Sequence, residues 1–230
     1  MRNVAAILFT GGLGFLLLVI ASQLGFGEPP MRVGQGILDV AATEVGAANI
    51  VTSVLLAYRG LDTLGELSIL FAAATAVGLV LGRRRAGAPH DPPGGAILAI
   101  GADLLFPLLL VVGLYVIAHG HLSPGGGFQG GVILAAAFFL EVLARPERSL
   151  GHGAISVIEG LAGASFILIG LWALLAEGEF LAPLLVETGT MGELLSAGTL
   201  PILSLAVGLK VGSELAGLMA HLSDTEASES

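Results

Sequence analysis

Cysteine is absent from this chain of 230 residues, and charged residues make up only 12% of it. Without thiols the chain can form no disulfide bond and can supply no ligand to an iron–sulfur cluster. Only nine residues are Lys or Arg, and the net charge of -9 offers no basic surface for nucleic acid. Any redox centre is therefore expected in other proteins, and nucleic acid is not expected among the partners of this chain.

Apolar residues dominate the sequence instead. They make up 55% of the chain, and the mean hydropathy of +0.93 is too high for a water-soluble protein. Apolar runs of about twenty residues, long enough to cross a bilayer, recur along the chain. They predict an all-α, polytopic transmembrane protein with about seven helices. The predicted spans are residues 4–24, 38–58, 62–82, 96–117, 124–143, 153–176 and 194–220. The second and third are predicted to form a tight helical hairpin.

A change in composition divides the chain after Arg83-Arg84-Arg85. The stretch that follows is rich in glycine and proline, which predicts a linker at 86–95. A three-helix unit is predicted at 1–85 and a four-helix unit at 96–221, followed by a polar, disordered tail at 222–230. Since loops rich in arginine stay in the cytoplasm, we expect the N-terminus outside and the C-terminus inside.

Ionisable side chains in the predicted spans are the first functional candidates, because a charge in hydrocarbon is costly unless it is paired or hydrated. Asp62 and Glu66 are four residues apart and share one helix face, where two carboxylates favour a shared proton or cation. Asp62 has an alternative, an ion pair with Arg59. Glu66 lies deeper in its helix, which favours an ionic role.

The second unit carries its own buried charges. Glu159 lies about two turns into its helix and is a candidate for a proton path. Lys210 and Glu214 are four residues apart and predict a structural ion pair along one helix. Asp103 and Glu141 lie near predicted helix ends, where we expect solvated side chains.

Two histidines stand at the edge of the fifth predicted span. His119 and His121 are separated by a glycine, and imidazoles titrate near neutrality and can shuttle protons. The alternative is an interfacial histidine bonded to a free carbonyl. No third ligand stands at regular spacing, so we predict no metal site.

A proline and a run of glycines follow the histidines. Pro124 is predicted in the first turn of a helix, and the glycines after it allow another helix to pack closely. No Lys or Ser/Thr follows in the register of a phosphate loop, which argues against nucleotide binding. The predicted packing motif consists of Pro124, Gly125, Gly126, Gly127, Gly130 and Gly131.

Two long segments of the sequence resemble a known family. The stretch from His119 to Val132, His-Gly-His-Leu-Ser-Pro-Gly-Gly-Gly-Phe-Gln-Gly-Gly-Val, strongly resembles the signature of the MnhB-type subunit of Mrp-type multisubunit sodium/proton antiporters. The stretch from Asn49 to Glu66 resembles the C-terminal part of the large subunit of the same complexes. The resemblance therefore covers nearly the whole chain and implies a fusion of two subunits.

This resemblance implies a non-catalytic membrane subunit, without a cofactor of its own, in a prokaryotic cell membrane. Such modules exchange Na⁺ for H⁺, either free-standing or within membrane-bound hydrogenases and related respiratory complexes. The implied partners are other antiporter-module subunits, joined in the second case by hydrogenase or other redox subunits. By motif, Glu66 and the stretch Pro124 to Gly131 are carried over, and Glu44 is implied to lie on the same ion path. The alternative is a scaffold that joins antiporter-like subunits without lining the path.

Overall fold

The computed structural model describes residues 2–23, 32–81, 95–145, 152–186 and 189–226. These residues form helices, turns and loops, and none of them lies in a strand. The helices are α1 (Arg2–Gln23), α2 (Arg32–Val45), α3 (Ile50–Ser53), α4 (Gly60–Leu81), α5 (Gly95–Ala118), α6 (Gly127–Ala144), α7 (His152–Glu177) and α8 (Leu200–Glu226). A π-helical turn, Val54–Tyr58, continues α3.

Six helices in the described residues are long and apolar enough to cross a membrane. The bent pair formed by α2 and α3 provides a seventh crossing if the two are counted together. Many apolar side chains on these helices are exposed, as expected where helices face lipid or other subunits: Ile97 is 90% exposed and Leu175 is 86% exposed. The predicted all-α, polytopic fold is confirmed.

The second predicted span is wrong in one respect. Instead of a continuous helix over 38–58, α2 and α3 are separated by a break and meet at 89°. Gly46 adopts a φ of +70° directly after α2, a conformation that glycine adopts without a steric penalty. Asn49 then caps α3 by accepting hydrogen bonds from the backbone N–H groups of Val51 and Thr52. The first helix of the predicted tight hairpin is therefore a broken helix, and α4 follows it directly after Arg59.

Two other predicted helix starts lie too early in the chain. α6 begins at Gly127, so Pro124 lies in the preceding turn and not in the first turn of the helix. α8 begins at Leu200 and not at 194, because Ala197 and Gly198 both have positive φ values that interrupt a helix. α8 also continues to Glu226, so the first part of the predicted disordered tail is helical. The predicted linker at 86–95 lies outside the described residues except for Gly95, which begins α5.

The chain divides into two compact units, residues 1–37 and 38–230. In the first, α1 exposes nearly all of its described side chains, including Phe9 and Phe15. In the second, a core of buried apolar side chains is built on α8. Its largest fully buried side chains are Phe166, Leu181, Leu200, Leu203, Val45, Val207 and Val211.

Glycines set the distance between the central helices α5, α6 and α8. A Cβ atom added at Gly127 would lie 2.6 Å from the carbonyl oxygen of Ser204, and one at Gly131 would lie 2.7 Å from that of Gly208. One at Gly130 would lie 2.6 Å from the carbonyl oxygen of Gly113. The backbones of α5 and α8 therefore both lie directly against the backbone of α6.

Candidate functional site at the broken helix

An open cleft of about 760 Å³ lies beside the break between α2 and α3. Its polar lining includes Glu44 and Tyr58, whose hydroxyl donates a 2.6 Å hydrogen bond to Oε2 of Glu44. Nε of Arg59 donates to Oδ2 of Asp62 over 2.7 Å, and Glu179 also lines the cleft. Three carboxylates thus share the cleft with one guanidinium, which makes it acidic and suited to cations.

Of the three ion-path residues predicted in the first unit, the structure places two in this cleft and one outside it. Glu44 and Asp62 line the cleft, and Asp62 forms the alternative ion pair with Arg59. Because both partners are more than half exposed, solvent screens this pair and it adds little stability. Glu66 lies one turn further along α4, exposed, and forms no hydrogen bond or ion pair with any described residue.

Asn49 joins the broken helix to the glycine-rich segment after α5. Its Nδ2 donates to the carbonyl oxygens of Gly120 at 2.7 Å and Ser123 at 2.8 Å. Oγ1 of Thr52 donates to the same Gly120 oxygen at 2.6 Å, and the Asn49 backbone N–H bonds to the carbonyl of His121 at 3.0 Å. We call these four contacts the Asn49 clasp. These contacts were not predicted from the sequence, although an asparagine directly before an apolar run is a helix-start signal.

The two histidines have different surroundings. His119 is partly buried, stacks on the Tyr115 ring at 4.1 Å between centroids, and places Nδ1 3.0 Å from the Tyr115 carbonyl oxygen. It thus contacts a carbonyl in the last turn of α5. His121 is fully buried, with Nε2 3.4 Å from the carbonyl oxygen of Glu193 and Nδ1 without a partner among the described residues. Burial lowers the pKa of His121, so the imidazole is neutral.

The neutral state of His121 predicts a loss of stability in acid. The pKa of His121 is about 6.5 in the unfolded state and lower in the folded state. The neutral imidazole therefore contributes its full stability above about pH 6.5, and this contribution declines as the pH falls below that value. When the pH is lowered from 7.5 to 5.5, we expect the melting temperature of the solubilised complex to fall in both proteins. The fall should be several degrees larger for the wild type than for His121→Leu. Thermal unfolding followed by tryptophan fluorescence measures the difference. Parallel pH profiles for the two proteins would contradict it.

An arginine at the end of α6 joins the two acids that were predicted to be solvated. Nη1 of Arg145 donates to both carboxylate oxygens of Glu141 at 3.0 and 2.9 Å, and Nη2 donates to Oδ1 of Asp103 at 2.6 Å. These hydrogen bonds and the charge of Asp103 raise the pKa of Arg145. The side chain of Asp103 is 64% exposed, as predicted, whereas that of Glu141 is only 18% exposed, so the prediction is wrong for Glu141. The cluster pairs α5 with α6. The four-residue spacing of Glu141 and Arg145 was the available signal.

A second charged cluster lies within the helices α7 and α8. Nζ of Lys210 donates to Oε1 of Glu159 at 2.7 Å and also pairs with Oε2 of Glu214. The side chain of Glu214 is 3% exposed, that of Lys210 is 10% exposed and that of Glu159 is 25% exposed. Nζ also lies 4.6 Å from the centre of the Phe71 ring on α4. The predicted Lys210–Glu214 pair is thus part of a triad with Glu159.

No group of three or more His, Asp or Glu side chains in the described residues is arranged to hold a metal ion. The described clusters consist of carboxylates, a tyrosine, a lysine, arginines and imidazoles, and within membrane spans such ionisable side chains are candidates for handling protons or ions.

Two family models match this chain. The family model described as "Domain related to MnhB subunit of Na+/H+ antiporter" matches residues 97–217. The chain belongs to this family. A second family model, MbhE, which describes a component of the MBH complex, matches residues 3–91. The resemblance seen in the sequence is confirmed for both segments.

Two relatives are similar to this chain over very different shares of their own length. An uncharacterized protein of Methanocaldococcus jannaschii is 31% identical over 214 residues, which are 82% of this chain and 80% of that protein. A probable K⁺/H⁺ antiporter component of Rhizobium meliloti is 27% identical over 173 residues, 64% of this chain but only 17% of that protein. The second similarity thus concerns a small part of a much longer chain.

Two solved structures have the same fold. A chain of the membrane-bound sulfane sulfur reductase, an archaeal respiratory membrane complex, has a TM-score of 0.81 and 38% identity, covering 96% of this chain and 97% of that one. A chain of the Mrp complex from Dietzia has a TM-score of 0.74 and 29% identity, covering 99% of this chain and 26% of that one. This family member is a multi-pass membrane subunit of an antiporter-type module, as the sequence predicted.

Proposed function

We propose that the chain lines part of the cation path of a multisubunit cation/proton antiporter. The observation that carries the proposal is the break between α2 and α3, which brings Glu44, Tyr58 and Asp62 into one open, acidic cleft. Broken helices line the ion sites of many membrane transporters, because a cavity tolerates irregular backbone that lipid does not. The subunit binds and passes the ion and catalyses no reaction of its own.

Partner subunits complete the path in this proposal. Glu66 is exposed within the apolar helix α4, and a carboxylate that faces lipid is costly. A neighbouring antiporter-module subunit that covers this face of α4 supplies the missing partner. Similarity to the sulfane sulfur reductase chain supports assembly with redox subunits as well. Affinity purification from native membranes with mass spectrometry distinguishes a redox-linked complex from a free-standing Mrp exchanger.

The proposal also covers the layout of the chain in the membrane. The two family matches end and begin on either side of residues 92–96, which supports the predicted fusion of a large-subunit part with an MnhB part. The arginines at 83–85 support a cytoplasmic position for that joint, with the N-terminus outside and the C-terminus inside a prokaryotic membrane.

Neutralising the carboxylates tests the path. We expect Glu44→Gln and Glu66→Gln each to slow exchange by about tenfold or more, equivalent to about 1.4 kcal/mol in barrier or binding, because each removes a cation ligand. The measurement is the cation-dependent change in internal pH of everted membrane vesicles. Thr43→Ala is the matched control, since its exposed hydroxyl donates only to the Val40 carbonyl of its own helix.

A scaffold role is the second candidate, and the Asn49 clasp favours it because the clasp joins the two family segments. A scaffold predicts normal exchange in Glu44→Gln and Glu66→Gln. It also predicts loss of the complex when a central glycine is enlarged. Normal exchange in both glutamine variants, with the complex intact, would therefore replace the ion-path proposal by the scaffold.

A further inference from the structure

The charged triad inside α7 and α8 has a chemistry that the cleft does not use. Glu159 and Glu214 both contact Nζ of Lys210, so two carboxylates share one ammonium group. Among the described residues no other charged side chain pairs with these three, and the remaining contact of Nζ is the Phe71 ring. Fully ionised, the triad therefore carries one uncompensated negative charge within apolar helices.

Burial decides how this charge is balanced. Glu214 and Lys210 belong to α8, whose membrane span Leu200–Met219 is largely buried in the protein. A lone negative charge there is unfavourable, because the low dielectric penalises a net charge more than a neutral ion pair. The smallest cation that neutralises the triad is a proton on one of its carboxylates.

We propose that the Glu159–Lys210–Glu214 triad binds one exchangeable proton and relays it between the more exposed Glu159 and the buried Glu214. The proposal rests on the proposed function, since it assigns the proton half of the exchange to this chain. A proton on Glu159 passes to Nζ of Lys210 while Lys210 releases one of its own protons to Glu214. The lysine is an ammonium before and after, Glu159 ends ionised and Glu214 ends neutral, so protons and charge balance.

The geometry suits this transfer. Glu159 reaches Nζ from α7, whereas Glu214 reaches it from one turn further along α8, so the two carboxylates approach the ammonium from different helices. An arginine could hold both carboxylates but could not release a proton, since a guanidinium stays protonated in proteins. The relay and a purely structural ion pair therefore predict different results for the same substitution.

Lys210→Arg in the intact complex tests the relay. We expect exchange in everted vesicles to fall at least about tenfold with the complex still assembled, because the charge remains and the transferable proton is lost. Glu159→Gln keeps the Lys210–Glu214 pair and is expected to lose exchange equally. Arg145→Lys, in the cluster at the end of α6, is the matched control and should exchange as the wild type does. Normal exchange in Lys210→Arg or in Glu159→Gln overturns the relay.

Infrared difference spectroscopy provides a readout independent of transport. The unmodified complex should show a protonated carboxyl band that changes with pH, and Glu214→Gln should remove it. A wild-type spectrum without such a band overturns the proposal even if every variant fails to assemble. Glu44→Gln separates this outcome from failure of the proposed function: if it abolishes exchange while Lys210→Arg exchanges normally, the cation path stands and the relay is wrong.

Discussion

Gly130→Ala is expected to reduce the amount of assembled complex in the membrane to a minor fraction, although it adds only one methyl group. That methyl carbon would lie 2.4 Å from Cγ1 of Ile117 and 2.6 Å from the carbonyl oxygen of Gly113, both on α5. Backbone atoms of a packed helix cannot move aside individually, so the helices must separate. Overpacking of this kind costs about 1–3 kcal/mol, enough to lower the abundance of a marginally stable protein several-fold.

The amount of complex recovered by size exclusion after mild solubilisation measures this effect. Gly160→Ala on α7 is the matched control, because a Cβ atom at that position has no described neighbour within 4 Å. Gly130→Val should lose still more complex than Gly130→Ala. Equal recovery of Gly130→Ala and Gly160→Ala would show that α5 and α6 do not need their close approach.

Asn49→Ala is expected to destabilise the chain by about 2–4 kcal/mol, the sum of a lost helix cap and of the Ser123 carbonyl left without a donor, while Thr52 still donates to Gly120. One side chain caps α3 with Oδ1 and bonds Gly120 and Ser123 with Nδ2. Its removal therefore affects the broken helix and the glycine-rich segment together. A lower melting temperature and faster amide hydrogen exchange at residues 119–123 are the expected observations.

Asn49→Ser separates the two roles of this side chain. Serine caps helices about as well as asparagine but is too short to reach both carbonyls, so it should recover only the cap, about 1 kcal/mol. Wild-type exchange rates at residues 119–123 in Asn49→Ser would contradict the importance of the Asn49 clasp.

The membrane spans could be predicted because length and apolarity are local properties. The break at 46–49 was missed for the same reason: apolar residues continue on both sides of it, and only Gly46 and Asn49 indicate a bend. Pro124 was placed inside a helix by a rule about first turns, whereas the glycines after it delay the helix to Gly127.

The charged clusters show the limit of spacing arguments. The Lys210–Glu214 pair follows from a four-residue separation on one helix, and the sequence predicted it. Glu159 joins that pair from 51 positions away, and Asp103 joins Arg145 from 42 positions away. Such contacts depend on which helices become neighbours, which hydropathy alone does not determine.

The Asn49 clasp joins the two family segments of the chain in the folded protein. It connects a residue of the segment that matches the MbhE family to two carbonyls of the segment that matches the antiporter domain, more than 70 positions along the chain. These hydrogen bonds, with the apolar packing of Leu56 and Leu67 against α8, hold the halves together without a peptide bond between them. Recognition between the two segments therefore resides in their folded surfaces and does not depend on the stretch of chain that connects them.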